Sequence, residues 1–234
     1  MEPGMGGGGP FRDREDAGRR LAERLAGYRD EGPVVLALPR GGVPVGYKIS
    51  RTLGAPLDVF VACKLGAPDQ PELGNGAAAQ GGVRVLNEDA LEALAIPEGY
   101  IARAAEEETA EKERRLELLR GERPEPEVRG RTAILVDDGL ATGVTARAAV
   151  EALRRRNPGG LVLAVPVCAA RSVKLLRSEV DELVCLEAPS NLMAISLWYQ
   201  DFYQVGDEQV VDLLERARRE RKERGGTTGP EGRT

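Results

Sequence analysis

The chain has 234 residues, of which 41% are hydrophobic and 30% charged, with a formal net charge of -5 and no histidine. That length and apolar share suit one packed domain and exclude a wholly disordered chain. The acidic balance disfavours a nucleic-acid binder but leaves room for an anionic small ligand at local positive groups. Without histidine, Ser-His-Asp, Cys-His and HExxH chemistry is excluded within the chain. What remains is carboxylates, Lys, Arg, hydroxyls, backbone N–H groups or a metal held by oxygen.

The three cysteines, Cys63, Cys168 and Cys185, show neither zinc-site spacing nor a disulfide framework, and read as buried thiols in a reducing compartment. No apolar run reaches the roughly 20 residues that span a bilayer. The opening MEPGMGGGGP lacks the apolar centre of a signal peptide. The expectation is a cytoplasmic protein with a loose tail over residues 1–10.

In chain order, Phe11 to Tyr28 reads as a helix, since Ala17, Leu21, Leu25 and Tyr28 recur at helical spacing between charges. Val34 to Leu38, bounded by Gly32-Pro33 and Pro39, reads as a buried strand. Val43 to Leu53 reads as a helix that tolerates Pro44 in its first turn, and Leu57 to Ala62 as a second strand. Residues 64–82 are rich in Gly, Pro and Ala and read as a long loop, functional or disordered. Val83 to Leu86 reads as a short strand. Residues 99–120 mix Glu and Arg densely and read as a solvated surface helix in preference to a flap or dimer contact.

Thr132 to Val136 reads as another buried strand, and Thr145 to Arg155 as a helix stopped by Asn157-Pro158-Gly159-Gly160. Leu161 to Val167 reads as a strand, Ser172 to Arg177 as a helix and Leu183 to Leu186 as the last strand. Residues 207–223 form a charged amphipathic helix, followed by a loose tail over 224–234. Apolar strands alternating with helices predict an α/β fold: a doubly wound, mainly parallel sheet.

The chemistry concentrates in Ala133 to Thr145, AILVDDGLATGVT. A hydrophobic strand ends in two acids, a Gly/Thr turn follows, and a helix begins. Ligands of open α/β sheets bind beyond the carboxyl ends of the strands. Gly139 and Gly143 let backbone approach a ligand closely. Successive N–H groups at the helix N-terminus make an anion cradle, to which Thr142 and Thr145 add hydroxyls. Asp137 and Asp138 suit two adjacent sugar hydroxyls, or an Mg²⁺ ion held through water. The turn is no Walker A loop, for it has no Gly-Lys-Ser/Thr. The bland alternative, acids that merely cap a helix, explains one Asp and one Gly but not the whole pattern.

VDDGLATGVT resembles the phosphoribosyl pyrophosphate (PRPP) signature of type I phosphoribosyltransferases. The resemblance implies that Asp137 and Asp138 face the ribose hydroxyls. It also implies that the PRPP loop runs through Gly139, Leu140, Ala141, Thr142, Gly143, Val144 and Thr145, with residues 141–145 on the 5-phosphate. Ala141 stands where the 6-oxopurine enzymes carry an Asp, which argues against an oxopurine substrate. Pro39-Arg40-Gly41-Gly42 follows the first strand, where the family places a pyrophosphate loop, with a strained or cis peptide expected near Arg40. Lys64, after the second strand, could also meet the pyrophosphate. By the same resemblance, residues 11–223 form the phosphoribosyltransferase-like domain, with 64–82 as a lid and 188–206 as a small variable hood that picks the acceptor.

Aromatics are only 4% of the chain, yet Trp198, Tyr199, Phe202 and Tyr203 fall together. They either stack on an acceptor ring, with Trp198, Tyr199 and Phe202 as the candidates, or fasten the last helix to the core; packing is favoured. Ser190 and Asn191 are further candidates to read a base edge. The resulting expectation is a transferase moving 5-phosphoribose from PRPP to a nitrogen acceptor, a small molecule such as a nucleobase. Arg40, Lys64 and Asp138 would be catalytic, and Mg²⁺ would assist the departure of pyrophosphate. The resemblance also suggests a homodimer. The rivals are a PRPP-binding regulator without transfer activity and a hydrolase with Asp137 as nucleophile.

Overall fold

Each central strand sends alternate residues to opposite sides of the sheet, and both sides are apolar. Val35, Ile134, Val162 and Ala164 face one layer, while Leu36, Leu135, Leu163 and Val165 face the other. A sheet of this kind must be covered on both faces. The computed structural model describes residues 11–67, 70–79, 83–86, 110–111, 114–121 and 123–225. In chain order the elements are α1 (Arg14–Arg24), a 3-10 segment (Ala26–Glu31), β1 (Val34–Ala37), α2 (Gly42–Leu53), β2 (Leu57–Val59), β3 (Ala62–Ala67), β4 (Gln70–Ala79) and β5 (Val83–Leu86). There follow β6 (Thr132–Val136), α3 (Val144–Arg154), β7 (Gly160–Val167), α4 (Ala170–Leu176), β8 (Glu182–Glu187), a second 3-10 turn (Ile195–Trp198) and α5 (Asp207–Gly225).

Five strands form a parallel sheet in the order β2-β1-β6-β7-β8. Leu21 and Leu25 of α1 and Val45, Ile49 and Leu53 of α2 cover one face. Ala146, Ala149, Val150 and Leu153 of α3 and Leu176 of α4 cover the other. The fold is the expected doubly wound α/β sheet. α5 packs Val210, Leu213 and Leu214 against Val43 and Tyr47 of α2.

Several expectations change. The first helix does not run from Phe11 to Tyr28. Asp13 caps it by accepting the Asp16 amide, and the chain tightens into 3-10 geometry from Ala26. Phe11 instead forms a parallel bridge to Tyr199. The stretch 64–82 is no plain loop in its described part. β3, β4 and β5 pair antiparallel in a separate three-stranded sheet. Its ladder is made by backbone groups, which Gly and Ala supply as well as any residue. Irregular register around Leu65 to Ala67 disperses the period-two signal that marks a strand. The second parallel strand therefore ends at Val59.

Most of the 99–120 helix lies outside the described residues, but residues 114–120 are helical and not merely solvated. Leu119 is fully buried with α2 and α5, and Arg120 pairs with the buried Asp58 at 2.8 Å. Cys168 is buried, Cys185 only half-buried, and both are free thiols; the Cys63 side chain lies outside the described part. Among the described residues, no helix is long and apolar enough to cross a membrane.

β6 sits at the centre of the sheet and positions everything that follows. Leu135→Ala removes a fully buried side chain there and should lower unfolding stability by about 2–5 kcal/mol, measured by chemical denaturation.

Candidate functional site

The sheet changes direction between β1 and β6. From β1 the chain moves outward to β2, and from β6 it moves the other way to β7 and β8. Such a switch point opens a crevice at the carboxyl ends of the two strands. The loops leaving those ends are Leu38 to Gly41 and Asp137 to Gly143. They are tied together at their roots, where the Leu38 amide donates to the Val136 carbonyl at 2.8 Å.

The second loop is fixed from beneath. The Leu140 amide donates to the Val167 carbonyl and the Ala169 amide to the Leu140 carbonyl, both at 2.9 Å. The hydroxyl of the buried Ser172 donates to the Ala141 carbonyl at 2.9 Å. These bonds consume the carbonyl side of the turn. Among the described residues no acceptor meets the amides of Ala141, Thr142, Gly143, Val144 or Thr145. Gly143 has φ 76°, a left-handed conformation that turns the chain into α3. The hydroxyls of exposed Thr142 and half-buried Thr145 have no partner among the described residues. A helix start with free amides and flanking hydroxyls is an anion-binding arrangement.

The two acids stand beside it, each half committed. Asp137 Oδ1 accepts the Asp138 amide at 2.8 Å. Asp138 Oδ2 accepts from Arg14 Nε at 2.7 Å, with only 13% and 11% of the two side chains exposed. That same oxygen lies 2.0 Å from where a Cβ on Gly41 would stand, so only glycine fits opposite it. Among the described residues, the other oxygen of each acid has no hydrogen-bond or ion-pair partner. Burial, and then the charge of Asp138, push the Asp137 carboxyl well above its usual range. Burial also raises Asp138, and Arg14 opposes that shift.

The Pro39–Arg40 peptide is cis, as expected for that loop. The Arg40 side chain is half-buried, has no ion-pair or hydrogen-bond partner among the described residues, and lines an open recess. Arg14, Gly41, Asp138, Phe202, Tyr203, Gln204 and Val205 complete its wall. Gly42 begins α2 behind it, buried, and its amide, expected to face pyrophosphate, is instead donated to the Leu38 carbonyl at 3.0 Å. Lys64 lies in β3 opposite Ala77; its side chain lies outside the described part.

The aromatic cluster divides. Tyr199 is packed, 6% exposed, with its ring centroid 5.5 Å from Phe11. Its hydroxyl donates to the Asp138 carbonyl at 2.6 Å, and burial pushes its pKa up. Trp198 is half-buried beside it and does not line the recess. The cluster fastens the N-terminal segment, not the last helix. Phe202 does line the recess, under the Arg14 guanidinium at 3.7 Å. Ser190 and Asn191 are exposed and away from it. Sequence reasoning did not single out Arg14, Gln204 or Val205. The DREDAGRR stretch around Arg14 was visible, but nothing local assigns its arginine to a loop 124 residues away.

The raised Asp137 carboxyl makes a signed prediction. Its unliganded fold is favoured while Asp137 is protonated and loses that stability as pH rises through the shifted pKa. Asp137→Asn keeps the acceptor for the Asp138 amide without the charge. It should raise stability at neutral pH by about 1 kcal/mol and flatten the pH dependence, read as Tm across a pH series.

The phosphoribosyl transferase domain family matches residues 12–200. The chain is 43% identical over 215 residues to a Mycobacterium tuberculosis protein named "Putative phosphoribosyl transferase", covering 92% of this chain and 48% of that protein. It thus spans about half the length of the curated relatives it matches. It is also 40% identical to TT1426 from Thermus thermophilus, whose crystal structure superposes with a TM-score of 0.75 over 88% of this chain and 98% of the other. The family match covers both strand-end loops and the whole parallel sheet between them, and on that ground the chain belongs to the phosphoribosyl transferase domain family.

Proposed function

We propose that the protein binds PRPP at this switch point and transfers its 5-phosphoribosyl group to a nitrogen of a small planar acceptor, releasing pyrophosphate. The observation that carries the reading is the row of amides from Ala141 to Thr145 that have no partner among the described residues, beside two carboxylates that each keep one oxygen free of them. A phosphate on the amides places the attached ribose within reach of Asp137 Oδ2 and Asp138 Oδ1, which accept hydrogen bonds from its two adjacent hydroxyls.

Charge then moves away from the sugar. As the bond to pyrophosphate lengthens, positive charge grows at the anomeric carbon and negative charge on the leaving oxygens. The carboxylates hold the ring and favour the first. The Arg40 side chain, free of protein partners among the described residues, would stabilise the second, aided by the backbone amide of Gly41. Lys64 joins it in this proposal. Among the described residues no cluster of three or more metal-ligating side chains occurs. Two lone carboxylate oxygens suit Mg²⁺ only in an outer role, the ion being held by ligand oxygens and water. When bound, Mg²⁺ would neutralise charge on the pyrophosphate. Phe202, Tyr203 and Gln204 form the wall nearest an incoming acceptor.

Calorimetry with PRPP and Mg²⁺, followed by incubation with labelled PRPP and a panel of bases, tests the proposal. A phosphoribosylated product supports transfer. Binding without turnover points to a PRPP-responsive regulator, and breakdown by water alone to a hydrolase. Asp138→Asn should weaken PRPP binding by at least roughly tenfold, the loss of one charge-assisted hydrogen bond; unchanged affinity would remove Asp138 from the site.

A further inference from the structure

Arg14 touches both halves of the recess. Its Nε donates to Asp138 Oδ2 at 2.7 Å, and its Nη1 donates to the Tyr203 carbonyl at 2.6 Å. Its guanidinium lies 3.7 Å from the centroid of the Phe202 ring. The side chain is 11% exposed. Its place is set by the segment before it. Asp13 caps α1 by accepting the Asp16 amide at 2.7 Å. Phe11 and Arg12 are laced to the segment 198–201 by backbone bonds: Phe11 to Trp198, Gln200 to Phe11 and Asp201 to Arg12.

We propose that Arg14 is a positioning residue that locks the hood onto the diol-binding acid. One fork of donors holds the inner oxygen of Asp138, leaving Oδ1 aimed at the ligand, and also anchors the backbone that carries Phe202 and Tyr203. The proposal rests on the sugar-phosphate reading of the loop. A planar guanidinium can serve both acceptors and stack on a ring, whereas an ammonium cannot do all three.

The test uses Arg14→Gln and Arg14→Lys, with ribose 5-phosphate and pyrophosphate as separate probes. Only the first carries the diol. By calorimetry, Arg14→Gln should weaken ribose 5-phosphate by about tenfold or more, the scale of a charge-assisted bond. Pyrophosphate affinity should stay within about twofold, since Arg40 is untouched. Arg14→Lys should recover most of the ribose 5-phosphate affinity. In both variants, without ligand, the amides of Gln200 and Asp201 should exchange hydrogen faster than in the parent. If Arg14→Gln does not fold, hood exchange in Arg14→Lys decides the matter. Parent protein that binds neither ribose 5-phosphate nor PRPP overturns the reading of the loop, and this role with it. Binding by the parent that survives Arg14→Gln overturns the role of Arg14 alone. Equal loss of both probes also overturns positioning, because Arg14 would then be an anion ligand.

Discussion

Two neighbouring carboxylates at the end of a buried strand are an electrostatic burden, and much of the surrounding structure answers it. Asp138 receives a guanidinium from α1, at a separation and burial where the pair is only weakly screened. Gly41 lacks the atom that would collide with that carboxylate, and Tyr199 ties down the carbonyl of the same residue. The N-terminal segment, the loop after β1 and the segment around Tyr199 therefore converge on one acid. Among the described residues no cation forms an ion pair with Asp137, and burial leaves it with a raised carboxyl pKa. On the proposed reading, a ligand with two hydroxyl donors would relieve the burden that the unliganded fold carries. That is the usual relation between a binding site and stability: the groups that bind best are those least satisfied without ligand.

The sheet and its two loops were legible in the sequence because local physics fixes them. Val34 to Ala37, Thr132 to Val136 and Gly160 to Val167 are apolar on both faces, so they could only be central parallel strands. Gly139 and Gly143 followed by Val144 and Thr145 mark a close turn into a helix, and the structure gives Gly143 its positive φ. This strand-to-helix turn is built mostly of backbone, and backbone geometry is written in short motifs.

The neighbouring recess is built of side chains from distant segments, and such contacts leave no local mark. Arg14 reads like any charge on an amphipathic helix until the fold brings it to Asp138. Of the antiparallel sheet, β5 was read at its observed bounds, while β3 and β4 escaped for a related reason. Their residues, such as Gly74, Gly76, Ala77 and Ala78, show no alternation of polar and apolar character, while the ladder needs only their amides and carbonyls. The helical residues 114–120 misled in the other direction. Their charges suggest a free surface, yet Arg120 is held inside by Asp58 and Leu119 by the α2–α5 layer.

In the proposed function the amides from Ala141 to Thr145 grip a phosphate. Amide chemical shifts followed by NMR during titration with ribose 5-phosphate test it most directly. The predicted result is that these five amides move furthest and saturate together, with Asp137 and Asp138 next. Saturable shifts confined to another surface, or none in this turn, would contradict it.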